Sequence, residues 1–505
     1  MYKRQNKVLV PLIENCVNGY DKRPSDRALA DAIAISIRHI CVFERIRTGS
    51  WWWYHHPKWE EVPEELIGKY IVEKFVAELD IVASDAQERV RIGEVDNVVK
   101  TQHMIDKIRS FRPLLENNST QVGVVKLLRQ CLLRTNFNKL FDSQYNLFAV
   151  ANGVIDIDVK GRNCEYRRGK PEDYISIVSS ATYRRDYNDE HPDVQAVLEL
   201  DRQFVGDADT VHAYQLQKAS LLLRGNRDKN VDFFVGPPDS GKSGAAEGLK
   251  SVLGEYFAQA ESEALTTKRS KPNEPHPSIA NASGKAVLAF FEFEQNSTFE
   301  TAILKPISGR DGTSHRALYS NKTTVAATFK IICYTNHVPA APATHQGLTT
   351  RFRFWPARSK YSRNAPATLE EQHAQRHYPI DDDIDSKIAR LRDAILWLMV
   401  RYMPEYLKHG RKVSAAMLKE AQDYWDRNDR LKNFVKKYMQ VREGALGVTL
   451  ETASRSYRDY LVRICRRKPE DINDDDIARQ LEEYLGATSD VRGGKGWPDR
   501  QLSAF

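Results

Sequence analysis

The pattern of apolar and polar positions divides the chain into stretches of different character. From about residue 6 to residue 140 apolar residues recur mostly at helical spacing. Ser25 offers a cap for an amphipathic run that reaches Ile40, and similar runs cover 66–79, 101–110 and 121–134. Trp51, Trp52, Trp53, Tyr54 and Trp59 interrupt this pattern with an aromatic cluster of strand propensity. Such a cluster is expected in a core rather than on a base-stacking surface. The segment Leu147–Ile157 reads LFAVANGVIDI, two apolar runs around Asn152-Gly153, which predicts a hairpin. Residues 176–187 read as extended, and 191–223 as helical up to Gly225-Asn226.

From Val231 to about Tyr361 short buried-strand patterns alternate with helical ones: Val231–Val235, Ala286–Phe291 and Phe329–Tyr334 are the clearest strands. Alternation of this kind predicts an α/β domain with parallel strands. The acidic run Asp381–Asp385 reads as a helix start, and helical patterns dominate 384–437. Residues 449–505 hold further helices, the basic run Arg463–Lys468 and a glycine-rich turn at Gly493–Gly496. The expected organisation is a helical domain over 1–145, a hairpin-bearing linker over 146–225, the α/β centre over 226–365 and a helical tail over 366–505.

Composition narrows the class. The 505 residues are 41 % hydrophobic with 8 Trp, 22 Tyr and 19 Phe, which excludes a disordered chain. No apolar stretch approaches the ~20 residues of a membrane span, and no secretory signal is visible. The six cysteines lack paired spacing, so a zinc knuckle or disulfide framework is not expected and a reducing compartment fits. The net charge of +7 permits nucleic-acid binding without requiring it. Met1-Tyr2-Lys3-Arg4-Gln5 resembles the translation of a sequencing-transposon end, so the natural N-terminus is expected to lie upstream.

The sharpest motif follows the strand Val231–Val235. Gly236-Pro237-Pro238-Asp239-Ser240-Gly241-Lys242-Ser243 fits GxxxxGK[ST], with a strand before it and a helix after it. Turn amides and a helix N-terminus point at phosphate oxygens in such a loop. Lys242 would reach the β- and γ-phosphates, and Ser243 would ligate Mg²⁺. Glu292 and Glu294 end the strand that begins at Ala286, where a carboxylate sits beside the phosphate loop and orients the attacking water. Asn336 ends the next strand and can bond the γ-phosphate or that water. Arg351-Phe352-Arg353-Phe354-Trp355-Pro356 alternates basic and apolar residues, as a half-exposed strand with both arginines on one face. An arginine there would stabilise phosphoryl-transfer charge from a neighbouring subunit.

In this order the motifs resemble those of superfamily 3 helicases, AAA+-type ATPases of viruses, phages and plasmids. The resemblance is strongest from Val231 to Tyr361. It is closest to the helicase part of poxvirus, giant-virus or phage primase–helicases, through LFAVANGVIDI, LKPISGRDGTSHRALYSN, YTNHVP and RFRFWPARSKY. It implies a P-loop NTPase fold, a parallel α/β sheet flanked by mainly helical N-terminal and C-terminal domains, the latter winged-helix-like. It also implies ATP and Mg²⁺ as cofactors, a hexameric homo-oligomer, and translocation on single-stranded or forked DNA. A primase domain or partner protein would accompany it, in the host cytoplasm or at a viral replication site, with no membrane.

By the same resemblance Glu292 is the metal-associated catalytic acid, Glu294 its second candidate and Asn336 the γ-phosphate sensor. Arg351 is the arginine acting in trans, with Arg353 in reserve, and Lys305 touches nucleotide across the interface. Arg316, Tyr319 and Lys322 would grip DNA in the channel. The sequence departs from the family where Arg310 precedes Asp311 and where Ala357 follows Pro356. Two other readings share the phosphate loop: an ATP-gated nucleic-acid-binding initiator or scaffold without processive unwinding, and an ATPase that remodels protein.

Overall fold

The protein is described from a computed structural model, which covers residues 25–44, 49–266, 277–295, 297–309, 313–315, 323–325, 327–341, 346–465, 469 and 472–503. The contacts form two compact units, one of residues up to Tyr187 together with Ser251–Tyr256, the other of Asn188–Lys250 and Phe257 onward.

In the first unit α1 (Asp26–Ile37) begins at Ser25, whose hydroxyl accepts from the Ala28 amide at 3.2 Å. Strands β1 (Cys41–Glu44), β2 (Ser50–His55) and β3 (Lys58–Val62) form an antiparallel meander. Helices α2 (Glu64–Tyr70), α3 (Val76–Arg91), α4 (Val98–Leu115) and α5 (Asn118–Cys131) close over one core with them. Trp51, Trp53 and Trp59 are buried, so the tryptophan cluster is core, as its composition implied.

The hairpin at Asn152-Gly153 forms from β4 (Leu147–Val150) and β5 (Gly153–Asp158), with β6 (Asn163–Arg167) as a third strand. Its turn residues are Ala151 and Asn152, because Gly153 already pairs with Val150. The glycine serves close approach instead: a Cβ there would lie 2.6 Å from the Arg167 carbonyl oxygen. The Asn152 amide bonds both backbone groups of Tyr183, each at 3.0 Å.

In the second unit the helical stretch after His191 is two helices, α6 (Pro192–Val205) and α7 (Ala208–Ser220). Gly206 takes φ +98° at the break, and Asp207 caps α7 by accepting from the Thr210 amide at 2.9 Å. Next come β7 (Val231–Val235), α8 (Lys242–Leu253), β8 (Phe257–Ala260), β9 (Val287–Phe291) and α9 (Thr301–Ile307). The antiparallel pair β10 (Thr313–His315) and β11 (Thr323–Val325) precedes β12 (Lys330–Thr335) and β13 (Phe352–Pro356). Five of these strands form one sheet in the order β13-β7-β12-β9-β8, parallel throughout. The fold is therefore α/β, as the alternation predicted. The near-continuous apolar strands suit a sheet covered on both faces.

Two features of the sheet depart from the sequence pattern. Strand β13 is an edge strand yet not half-exposed, since four of its five residues are buried. Helix α10 (Ile384–His409) is followed by α11 (Ala415–Asn428), whose Tyr424 and Trp425 rings pack on Phe352 and Phe354. The second departure is Asp232, in the middle of the buried strand β7. Its carboxylate accepts from Trp355 Nε1 at 2.8 Å and from both terminal nitrogens of Arg411, whose side chain is 6 % exposed. Nearby, Lys330 Nζ donates to the Leu223 and Gly225 carbonyls at 2.6 and 2.9 Å, and burial lowers its ammonium to about 8. Each buried charge thus has partners, as burial demands.

The last helices, α12 (Arg430–Tyr438), α13 (Leu450–Arg463) and α14 (Asp474–Leu485), share their own core with a short three-stranded antiparallel sheet. Among the described residues no helix is long and apolar enough to cross a membrane.

Candidate functional site

The register of the central strands sets the site. Thr335 stands beside Val235, and Tyr334 beside Phe291, so β7, β12 and β9 end abreast. The residues that follow them, Gly236, Asn336 and Glu292, therefore lie together at the carboxyl edge of the sheet, where ligands of parallel sheets bind.

The loop after β7 is held closely. Gly236 N donates to the Thr335 carbonyl at 3.3 Å, and Tyr361 N to the Asp239 carbonyl at 2.9 Å. A Cβ on Gly236 would sit 1.8 Å from the Ala357 carbonyl oxygen. Gly241 takes φ +84°, and a Cβ there would meet the Tyr361 ring at 2.9 Å. Both glycines are thus required by geometry. Asp239 tolerates φ +57° as aspartate does, and Ser240 is buried. Pro237 and Pro238 complete the turn into α8, which begins at Lys242.

Lys242 is 7 % exposed, and its ammonium donates to four acceptors. They are the Gly236 and Pro237 carbonyls at 2.9 and 2.7 Å, Ser240 Oγ at 3.1 Å and Asn336 Oδ1 at 2.9 Å. Burial holds it below the ordinary lysine value, against the pull of Glu292 and Asp239. Asn336 Nδ2 in turn donates to Glu292 Oε2 at 3.2 Å. The result is a cation–amide–carboxylate chain across three strand ends. Glu292 sits at φ +45°, a costly conformation for a side chain with a Cβ, of the kind that concentrates at functional sites. Its amide donates to the Tyr334 carbonyl at 3.1 Å.

Ser243 is exposed in the first turn of α8, beside the helix's unpaired amides. Among the described residues no three His, Cys, Asp or Glu side chains converge on a metal position. One hydroxyl and one carboxylate suit Mg²⁺, which keeps waters and takes phosphate oxygens as its other ligands. The residues present fit that ion only together with a phosphorylated ligand.

Other expected residues lie elsewhere. The Glu294 side chain is exposed two positions beyond Glu292, and Asn336 bonds Glu292 rather than Glu294. Arg351 stands at the amino end of β13, roughly 15 Å of strand from its own chain's phosphate loop. It donates to the Lys305 carbonyl at 2.5 Å and to Ser308 Oγ at 2.8 Å. Arg353 bonds the Thr350 and Phe352 carbonyls, and burial lowers its guanidinium. Arg310, Asp311, Arg316, Tyr319 and Lys322 lie outside the described residues.

A cleft of about 580 Å³ adjoins the loop, and the sequence reading did not foresee it. Its walls come from α6, α7, α8 and the first half of α10, with Phe204, Ile388, Leu391 and Ile395 among them. Asp201 and Lys218 line it too, two buried charges within the helical stretch. That conflict with the helical pattern was the available signal.

Residues 30–208 match the D5 N terminal like family. The chain is 23 % identical over 448 residues to a "putative helicase" of Acanthamoeba polyphaga mimivirus, covering 86 % of this chain and 45 % of that protein. It is 26 % identical over 306 residues to one of Invertebrate iridescent virus 3, covering 59 % and 32 %. The chain thus spans less than half the length of these relatives. Among solved structures, the C-terminal region of NrS-1 aligns at 11 % identity and TM-score 0.37, over 68 % of this chain and 83 % of that one. By sequence the chain is a relative of these viral helicase-like proteins, and its residues 30–208 match the model of the D5 N terminal like family.

Proposed function

We propose that the chain is an ATP-dependent replicative DNA helicase of a virus or mobile genetic element. The observation that carries this reading is the Lys242–Asn336–Glu292 chain at the ends of three adjacent parallel strands. In the proposed reaction Lys242 exchanges its loop carbonyls for β- and γ-phosphate oxygens. Asn336 then senses the γ-phosphate while holding the Glu292 carboxylate, and Glu292 takes a proton from the attacking water. Ser243 and Glu292 would hold the shell of Mg²⁺, which supplies charge neutralisation to the phosphates. The names of the viral relatives support unwinding as the use of this energy. A ring, most simply a hexamer, would let Arg351 reach the site of the neighbouring subunit. Arg316, Tyr319 and Lys322 would then contact single-stranded DNA in the channel.

The test is ATP hydrolysis with and without single-stranded DNA, on wild-type and Lys242→Ala protein sized by light scattering. DNA-stimulated turnover in a ring-sized particle, reduced to background in the variant with its helical spectrum intact, is the expected result. Unchanged turnover in Lys242→Ala would remove the phosphate-loop assignment. Nucleotide binding without turnover would instead identify an ATP-gated binder.

A further inference from the structure

The cleft beside the phosphate loop has apolar walls at Val197, Leu200, Phe204, Ile388 and Leu391, polar residues such as Gln203 and Gln372 elsewhere, and one buried charged pair. Asp201 and Lys218 are 8 % and 2 % exposed, and both line it. Asp201 Oδ2 accepts from Lys218 Nζ at 2.5 Å and from Gln215 Nε2 at 2.6 Å. No donor among the described residues reaches Asp201 Oδ1. Lys218 Nζ makes one hydrogen bond, to Asp201, and lies 4.7 Å from the Tyr214 ring centroid. The pair therefore offers the cleft an open carboxylate oxygen beside an ammonium with unused hydrogens. Buried polar groups with spare capacity in a cavity wall are costly unless something completes them.

The position of the pair says what that is. Phe204 lies one helical turn beyond Asp201 on α6, about 4.5 Å along the axis. Its ring is 3.5 Å from where a Cβ on Gly241 would sit, so this face of α6 runs from the phosphate loop to Asp201. Across the cleft Gly244 and Gly248 carry no side chain, and Cβ atoms there would touch Ile388 and Ile395 at 3.6 and 3.7 Å. The space between is an apolar slot, anchored by anion-binding amides at one end and by an acceptor–donor pair further along. A nucleoside triphosphate has this sequence of chemistries: phosphates, then a flat apolar ring with a polar edge.

We propose that Asp201 and Lys218 read the Watson–Crick edge of a purine base whose phosphates lie on the 236–243 loop. This rests on the phosphate-loop reading above and adds the specificity of the same site. The carboxylate takes an N–H from the base and the ammonium gives one to its ring nitrogen or carbonyl. Adenine and guanine both carry an N–H donor beside an acceptor on that edge, whereas unsubstituted purine carries no donor.

The experiment is displacement of a ribose-labelled fluorescent ATP from the full chain by ATP, purine riboside triphosphate and inorganic tripolyphosphate. Purine riboside triphosphate is expected to bind at least about tenfold more weakly than ATP, because it leaves Asp201 Oδ1 unpaired. Equal affinities would overturn the base-reading role while leaving the phosphate loop in place. Failure of all three to bind would overturn both. Asp201→Leu, which leaves no acceptor, supplies a second arm: in folded variant protein the preference for ATP over purine riboside triphosphate should shrink towards one. An unchanged preference would overturn the assignment, and the wild-type comparison decides alone where the variant does not fold.

Discussion

Gly236 and Gly241 differ in why they must be glycine, and the difference is measurable. Gly241 is required by a left-handed backbone and by the Tyr361 ring, whereas Gly236 is required by the Ala357 carbonyl, which belongs to backbone. An aromatic ring can shift, but a backbone oxygen 1.8 Å away forces β7 and the β13 end apart. Gly236→Ala should therefore lower both nucleotide affinity and the denaturant midpoint, by about 2–4 kcal/mol in stability. A variant that bound nucleotide normally would show that the two strands tolerate separation. At this scale the shape of the 236–243 loop was legible, because GxxxxGK[ST] encodes a backbone shape directly. That Asn336 bonds Glu292 rather than Glu294 was not. The two residues are forty-four positions apart in sequence and adjacent only once β9 and β12 pair.

Among the elements, β7 holds the strongest conflict between local pattern and environment. Asp232 occupies a buried central strand that composition alone would fill with an apolar residue, and Arg411, just beyond α10, neutralises it. Removing one partner of a buried pair leaves an uncompensated charge, so Arg411→Met should cost about 3–5 kcal/mol by denaturant titration. The double variant Asp232→Leu, Arg411→Met should recover a large part of that loss. If the single and double variants were equally unstable, the pair would not be the source. The strands β7, β9 and β12, the parallel arrangement and the helix starts at Ser25 and Asp381–Asp385 followed from periodicity and caps, whereas β8, with one buried residue of four, did not. The helix break at Gly206 was readable from glycine followed by a capping aspartate, yet the apolar spacing runs through it. The burial of β13 was hidden because its cover, α11, lies some sixty residues further along.

For the molecule as a whole, Arg351 is the informative residue, since it stands at the amino end of β13 while the phosphate loop lies at the carboxyl end. If a neighbouring copy supplies its partner site, Arg351→Ala should bind nucleotide nearly as wild type. Its turnover in the assembled particle should fall at least about a hundredfold. Mixing it with Lys242→Ala protein should restore part of the activity, since a mixed interface can combine an intact arginine with an intact loop. No restoration in particles shown to contain both variants would confine Arg351 to its bonds with Lys305 and Ser308. Assembly, unlike fold, leaves little trace in periodicity, because an interface residue and a solvated one share the same polar pattern.

Helix α10 connects two places described separately: Ile384, Ile388 and Ile395 at its start wall the cleft, and Arg411 just past its end is clamped to Asp232. Its 26 residues span roughly 39 Å, with Pro404 inside them near the clamped end. With the clamp as fulcrum, a tilt of about 3° moves the free end by about 2 Å, comparable with the helix shifts that switch packed proteins. A ligand wedged against that end would therefore be felt as torque on the strand that carries the phosphate loop.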